Sequence, residues 1–118
     1  MLELFDLLAA ARAAEQGKSL AEAAQVADNC IDKVGLYMTV DTLEYLHRGG
    51  RIGGARKLLG TALNIKPILT VTEGIVQEGG KVRTRKKALR QVVDNVAHHV
   101  KGKPRLRLAV LHAAAPED

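Results

Sequence analysis

Four glycines fall within six residues near the middle of the chain, in residues 49–54. Glycine loses more backbone freedom on folding than any other residue, so neither a helix nor a strand is expected to run through this segment. A loop is therefore predicted here, and the apolar spacing that follows predicts a helix over about residues 55–64. The glycine segment thus divides the chain into two stretches of regular structure.

Helical patterns dominate the first third of the chain. Residues 2–16 are rich in Leu and Ala and contain no helix breaker. Ser19 followed by Glu22 forms a capping box, which is typical of a helix start, and apolar residues at intervals of three and four continue to Val34. A further helix is predicted over residues 84–100, with Thr84 as its cap and one apolar face.

Short apolar and β-branched runs indicate strands in the remainder of the chain. They are residues 36–40, 68–72, 75–77 and 105–111, and a Glu73-Gly74 turn joins the middle two as a hairpin. Asp41 is expected to cap a helical turn after the first of them. This mixture predicts an α+β fold, with a small, mixed and largely antiparallel sheet covered by helices.

The composition limits the class of protein. The 118 residues suffice for a single domain, predicted to span residues 1–118, and 47% hydrophobic with 26% charged residues is a globular balance. No apolar run approaches the ~18 residues of a membrane span, and acidic residues stand where a signal peptide needs basic ones. Cys30 is the single cysteine and cannot form an internal disulfide. These features predict a cytoplasmic protein that is not integral to the membrane.

Charge is distributed unevenly along the chain. Residues 1–34 hold three lysines and arginines against six acidic residues, a net charge of −3, whereas residues 35–118 hold fifteen against seven, a net charge of +8. The basic part is expected to attract an anion, and a carboxylate, a phosphate, an acidic protein surface and nucleic acid all stay open on this ground. Ordinary solvated lysines are the simpler alternative.

Two segments of the basic part break local rules of stability, which is typical of functional sites. Arg51 lies within the glycine segment, where exposed amides and a following helix would favour an anion; a flexible turn with a solvated arginine is the alternative. Residues 83–87 place three cations in the first turn of a helix, where the helix dipole disfavours each of them by roughly 0.3–1 kcal/mol. A bound acidic partner would offset that repulsion, and a solvated face is again the alternative.

Motifs for catalysis and cofactor binding are absent from the sequence. The glycine segment matches neither a dinucleotide-binding fingerprint nor a P-loop, the four histidines are scattered, and no Cys/His cluster has the spacing of a zinc site. We therefore expect no enzyme activity, no cofactor and no metal. Two tyrosines and one phenylalanine supply few stacking platforms for bases, so nucleic acid is not the expected partner.

The order of motifs between residues 40 and 88 closely resembles the second domain of DegV family proteins. The matching stretches are VDTLEYL (40–46), RGGRI (48–52), LG (59–60), LNIKPIL (63–69) and KVRTRKKA (81–88), and the likeness extends over about residues 1–118. DegV family proteins look like two-domain α/β binders of long-chain fatty acids. Where the system exists, they present the bound acid to a fatty-acid kinase and do not catalyse the phosphorylation themselves.

The resemblance implies roles for individual residues. Arg51, with Gly50 and Ile52, matches the family segment near the fatty-acid carboxylate. The basic residues are interpreted as kinase-docking residues, namely Arg48, Arg83, Arg85, Lys86 and Lys87. Apolar residues from Leu43 to Leu69 are candidates for the wall of a slot for the acyl tail, and ordinary core residues are the alternative.

The chain departs from the family pattern in two respects. It lacks the first domain, with its carboxylate-binding hydroxyl residues, and the later segment with a histidine, which His112 does not match. We therefore expect a fragment of a longer DegV-like protein, as the helix-start composition of residues 116–118 also suggests. Two other function classes stay open, a basic nucleic-acid-binding module and a structural or dimerising domain, the latter including a homodimer of the fragment.

Overall fold

The computed structural model describes residues 3–60 and 64–116, which form two compact units divided between Leu36 and Tyr37. The first unit contains two helices. The second contains a three-stranded antiparallel sheet, one long helix and two short helical segments. The predicted α+β class, with a small antiparallel sheet and helices, is confirmed.

The first unit is a pair of helices, α1 (Glu3–Glu15) and α2 (Leu20–Ile31), that pack against each other. The capping box at the start of α2 is confirmed, because the Ser19 hydroxyl accepts a hydrogen bond from the Glu22 amide and the Glu22 carboxylate accepts one from the Ser19 amide. The hydrogen bond from the Ser19 amide, with a smaller contribution from the Ser19 hydroxyl, holds the pKa of the Glu22 carboxyl below its usual range. The helix ends three residues before the predicted Val34.

The sheet of the second unit consists of β1 (Tyr37–Thr39), β2 (Lys66–Thr72) and β3 (Ile75–Val82), with β2 in the centre. The short helix α3 (Glu44–Arg48) follows β1 in the chain. The predicted hairpin between β2 and β3 is confirmed. Its two turn residues, Glu73 and Gly74, have φ angles of 51° and 75°, and positive φ at both positions is what the tightest hairpin turn requires.

β3 continues five residues beyond the predicted end at Gln77. Ile68 pairs with Gly80 and Leu69 with Glu78, so Gly79 is the extra residue of a β-bulge. Gly80 has a φ of 143°, which a residue with a side chain rarely adopts. The two glycines thus bend the strand without ending it, and for that reason the sequence pattern underestimates its length.

Each face of the sheet has its own cover. The long helix α4 (Arg85–Val100) packs on one face, where Ile68 of β2 and Ala88 of the helix itself are both fully buried. Its predicted cap is confirmed, because the Thr84 hydroxyl accepts a hydrogen bond from the Lys87 amide. Leu69 points to the opposite face because successive strand residues alternate, and there it forms the core with Ile52, Ala55 and Leu58.

The helix predicted over residues 55–64 is wrong. The structure has instead a short 3₁₀ helix, Gly53–Leu58, and the chain is extended at Leu59; Leu63, predicted to face inward, lies outside the described residues. The backbone of Gly53 lies so close to β3 that any side chain there would collide with the Val76 carbonyl group. The 3₁₀ helix is therefore held against the strand, and this contact uses the glycines that the sequence analysis took for a loop.

A salt bridge fixes the other end of the 3₁₀ helix to β3. Lys57 Nζ lies 2.8 Å from Glu78 Oε2, and the hydrogen bond from Lys57 is the main reason that the pKa of the Glu78 carboxyl is lowered. Since the folded pKa lies below the unfolded one, the stabilisation is present above the unfolded pKa and is lost as pH falls through the folded pKa.

Replacing Lys57 with methionine is expected to lower Tm at neutral pH by no more than a few degrees, because the Lys57 side chain is 67% exposed and solvent screens the pair. The difference from the unmodified protein should shrink as pH falls through and below the usual range of a glutamate carboxyl. Thermal unfolding followed by circular dichroism across the acid range measures this. A difference that is constant or grows toward low pH would contradict the assigned ion pair.

The strand predicted over residues 105–111 is also wrong. Its side chains are exposed throughout, and none of its residues belongs to a strand. An alternating pattern forms a strand only where a neighbouring strand can pair with it, and within residues 64–116 none does. No helix in the described part of the chain has the length and apolar character needed to cross a membrane.

Candidate functional site

An open groove of about 380 Å³ runs along the second unit. Three segments line it: residues 41–44 with His47, residues 58–60, and residues 64, 65 and 67. These segments are the connection from β1 into the short helix α3 (Glu44–Arg48), the end of the 3₁₀ helix, and the approach to β2. The core under the sheet therefore fixes two of the three walls.

Five of the residues that line the groove have apolar side chains, which together form its apolar wall. The five are Leu43, Leu58, Leu59, Ile65 and Pro67. Leu58 is buried in the core cluster, whereas Leu59 is 37% exposed. All five fall within the stretch from Leu43 to Leu69 in which the sequence analysis looked for a slot, and the structure brings them together around one opening.

Two carboxylates, Asp41 and Glu44, also line the groove as its acidic wall, and each of them pairs with an arginine that was predicted to dock a partner. Arg85 Nη1 lies 2.9 Å from Asp41 Oδ1, and Arg48 Nη2 lies 2.6 Å from Glu44 Oε1. Lys66 Nζ lies 3.2 Å from the same Asp41 oxygen. Two of the five predicted docking residues, Arg48 and Arg85, therefore border the groove through its acidic wall.

The helix cap expected of Asp41 is wrong. α3 begins only at Glu44, without a side-chain hydrogen bond at its cap residue, and the Thr42 hydroxyl accepts a hydrogen bond from the Glu44 amide. The Asp41 carboxylate instead binds two cations that are 25 and 44 residues away in sequence. Such pairs leave no local signal, which is why the sequence analysis missed both Asp41 and Lys66 as site residues.

The three residues predicted to contact the ligand have different surroundings. Arg51 is exposed, and its Nη1 donates a hydrogen bond of 3.1 Å to the Gly49 carbonyl. Gly50 is exposed with a φ of 67°, whereas Ile52 is 6% exposed and belongs to the core. Arg51 follows α3, whose His47 lines the groove, but is not itself a lining residue in the part of the chain that the structure describes.

The anion site expected from a helix N-terminus after the glycine segment loses its basis. The following helix is a six-residue 3₁₀ helix, too short to build a substantial dipole. Any anion at this loop would depend on Arg51 itself. The role of Arg51 stays a prediction.

The remaining predicted docking residues cluster at the start of α4. Arg83, Lys86 and Lys87 are exposed there, and the side chain of Arg85 is 31% exposed. Four of the five predicted docking residues thus lie on one short segment, residues 83–87. Arg48 lies on α3, where it pairs with Glu44.

The match to known families settles the classification of the chain. A family model described as "Uncharacterised protein, DegV family" matches residues 3–118. The chain belongs to the DegV family. The resemblance predicted from the motifs of residues 40–88 is thereby confirmed.

DegV relatives share this sequence at moderate identity. A DegV domain-containing protein of Streptomyces coelicolor is 42% identical over 113 residues, which cover 96% of this chain and 40% of that protein. The chain therefore spans about 40% of the length of such curated relatives.

Solved DegV structures share the fold. A fatty-acid-binding DegV family protein from Thermus thermophilus has 37% identity and a TM-score of 0.73, over 83% of this chain and 35% of that one. A stearic acid-binding protein from Eubacterium ventriosum has 27% identity and a TM-score of 0.74, over 81% of this chain and 33% of its own. Both of these relatives are described as binding fatty acids.

Proposed function

We propose that residues 1–118 are one domain of a two-domain protein that binds a long-chain fatty acid and presents it to a fatty-acid kinase. The observation that carries this proposal is the groove, which combines five apolar side chains with two carboxylates paired with arginines. Fatty acids are the ligands named for two structural relatives. The domain itself binds and does not catalyse, and it acts in the cytoplasm.

The apolar wall is the proposed site of the acyl tail. The groove has a volume of about 380 Å³, within the usual range of small-molecule sites, and an apolar lining with a few polar groups is typical of such sites. Each methylene buried in such a site contributes about 0.8 kcal/mol, so a long tail would dominate the affinity. An open groove on one domain also leaves room for a second domain to cover the tail.

A charge in the apolar wall should weaken binding. Replacing the half-exposed Leu59 with aspartate would place a carboxylate against the tail and is expected to weaken fatty-acid binding about tenfold, the equivalent of losing roughly two buried methylenes. Titration calorimetry of the full-length protein with hexadecanoic acid measures this. Val93→Asp is the matched control, because Val93 is 62% exposed on α4 and outside the groove.

The comparison of Leu59→Asp with Val93→Asp decides whether the acyl tail lies in the groove. Weaker binding in Leu59→Asp together with unchanged binding in Val93→Asp supports the groove. Equal affinities of both variants for hexadecanoic acid would reject it.

Arg51 is the proposed partner of the fatty-acid carboxylate. Its guanidinium is exposed, sits on a glycine-rich loop that can adjust, and can bind a carboxylate with two parallel hydrogen bonds. Arg51→Ala is expected to weaken hexadecanoic acid binding at least about tenfold, because each hydrogen bond to a charged group contributes about 1.5–3 kcal/mol. Arg56→Ala, which removes an exposed arginine from the 3₁₀ helix, is the control. An Arg51→Ala protein with unchanged affinity and unchanged phosphorylation rate would refute this role.

The basic segment of residues 83–87 is the proposed docking surface for the kinase. It lies at the groove because Arg85 is bound to Asp41, a residue of the groove wall. Three further exposed cations on this segment would attract an acidic partner and raise its rate of association.

A further inference from the structure

We propose that Lys66 and Arg85 form an anion subsite on the wall of the groove, and that the Asp41 carboxylate occupies this subsite in competition with the anionic head group of a ligand. The inference rests on the proposed function, because the anion in question is the head of an alkyl chain held in the groove. It adds a contact for the head group besides Arg51. It also assigns Asp41 to tuning the affinity for the ligand rather than to binding it.

The two cations converge on a single oxygen atom. Asp41 Oδ1 accepts hydrogen bonds from Lys66 Nζ at 3.2 Å and from Arg85 Nη1 at 2.9 Å. Charge-assisted bonds from two basic groups to one oxygen are an arrangement with which proteins hold carboxylates and phosphates. A ligand carboxylate or phosphate could accept the same two bonds in place of the Asp41 oxygen.

The fold restrains the cations more than it restrains the carboxylate. The side chains of Lys66 and Arg85 are 29% and 31% exposed, whereas that of Asp41 is 72% exposed. Lys66 belongs to the central strand β2, and Arg85 begins the four-turn helix α4. Asp41 is therefore the member of the cluster that can rotate toward solvent with the least loss of packing.

The subsite adjoins the groove on the side that Asp41 covers. Asp41 is itself a lining residue, and so are Ile65 and Pro67, the two neighbours of Lys66 in the chain. Rotation of the Asp41 side chain would consequently expose the Lys66 ammonium and the Arg85 guanidinium to a head group at this end of the groove. An alkyl chain against the apolar wall would bring its head group within reach of them.

A competing internal carboxylate has a measurable consequence. A ligand anion must displace Asp41 before it can bind both cations, so Asp41 weakens the binding of anionic ligands and leaves neutral ones unaffected. Removing its charge should therefore strengthen the binding of anionic ligands. A merely structural ion pair would instead weaken or leave unchanged the binding of every ligand when it is removed.

The test compares Asp41→Asn with the unmodified full-length protein, using titration calorimetry with hexadecanoic acid, hexadecyl phosphate and hexadecanol. Asp41→Asn is expected to tighten the binding of the anionic probes by about threefold to tenfold, the range of a partly exposed charged contact, with hexadecanol unchanged. Asp94→Asn, which removes a carboxylate paired with Arg90 on the surface of α4, is the matched control and should change nothing. The anionic probe with the larger gain identifies carboxylate or phosphate as the preferred head group.

A second variant, Lys66→Met, tests the contribution of one of the two cations. Lys66→Met should weaken the binding of the anionic probes and leave that of hexadecanol unchanged. Asp41→Asn that tightens neither anionic probe, or that tightens hexadecanol equally, would overturn the inference while leaving fatty-acid binding intact. If none of the three probes binds the unmodified protein, the proposed function is rejected, and the inference falls with it.

Discussion

Replacing Leu69 with alanine is expected to lower the free energy of unfolding of the second unit by about 2–5 kcal/mol, the usual cost of a cavity in place of a buried leucine. Leu69 is fully buried on the central strand, where it packs with Ile52, Ala55 and Leu58 under the groove. Urea unfolding followed by tyrosine fluorescence measures this loss, because both tyrosines of the chain, Tyr37 and Tyr45, lie in this unit.

An exposed residue of the same sheet provides the control for this substitution. Ile75→Ala removes apolar atoms from a side chain that is 51% exposed and should cost less than about 1 kcal/mol. Similar losses for the two variants would contradict the position of the core on this face of the sheet.

Reversing the charges of Lys86 and Lys87 is expected to slow phosphorylation of the bound fatty acid by the kinase at least about tenfold at low salt, because charges at the rim of an interface set the association rate. Fatty-acid binding should stay within about twofold, since both side chains are exposed and neither lines the groove. Arg85 is left in place because its reversal would set two carboxylates side by side at Asp41. Initial rates of acyl phosphate formation, measured with saturating fatty acid, report the coupling.

Lys101→Glu with Lys103→Glu changes the net charge equally and lies at the other end of α4. This control should keep the rate of the unmodified protein if docking is local to residues 83–87. A kinase that is slowed equally by both double variants responds to net charge alone, and the docking proposal is then wrong. Loss of fatty-acid binding in Lys86→Glu with Lys87→Glu would also contradict it.

Local signals in the sequence predict much of the fold. The Ser19–Glu22 capping box, the Thr84 cap and the Glu73-Gly74 turn each combine residue types whose geometry is set within four residues, and each is confirmed by the structure. The α+β class follows from these elements because helix and hairpin patterns alternate along a short chain.

Contacts between distant residues account for the errors. The glycines of the segment 49–54 read as a loop before a helix, yet Gly53 serves the close approach of a 3₁₀ helix to β3, a strand that comes more than twenty residues later. Asp41 has the residue type of a cap, but Lys66 and Arg85 bind its carboxylate. The run of residues 105–111 has the pattern of a strand, but no strand pairs with it among residues 3–60 and 64–116.

In the candidate site, too, features formed by neighbouring residues were predicted and contacts between distant residues were missed. The sequence predicted the apolar stretch that forms the groove wall and the basic segment at the start of α4, because both are continuous in the chain. It could not predict that the acidic wall joins them, since the pairs of Asp41 connect β1, β2 and α4. Arg51 was selected by its resemblance to a family motif, and its role depends on the ligand-bound protein.

Mass spectrometry of lipid extracted from the purified full-length protein tests the central claim most directly. The account predicts a free long-chain fatty acid in near-equimolar amount, which Leu59→Asp reduces and Val93→Asp does not. Extracts without fatty acid, or with amounts equal to those carried by an unrelated protein purified in the same way, would contradict the assignment of the groove to a fatty-acid tail.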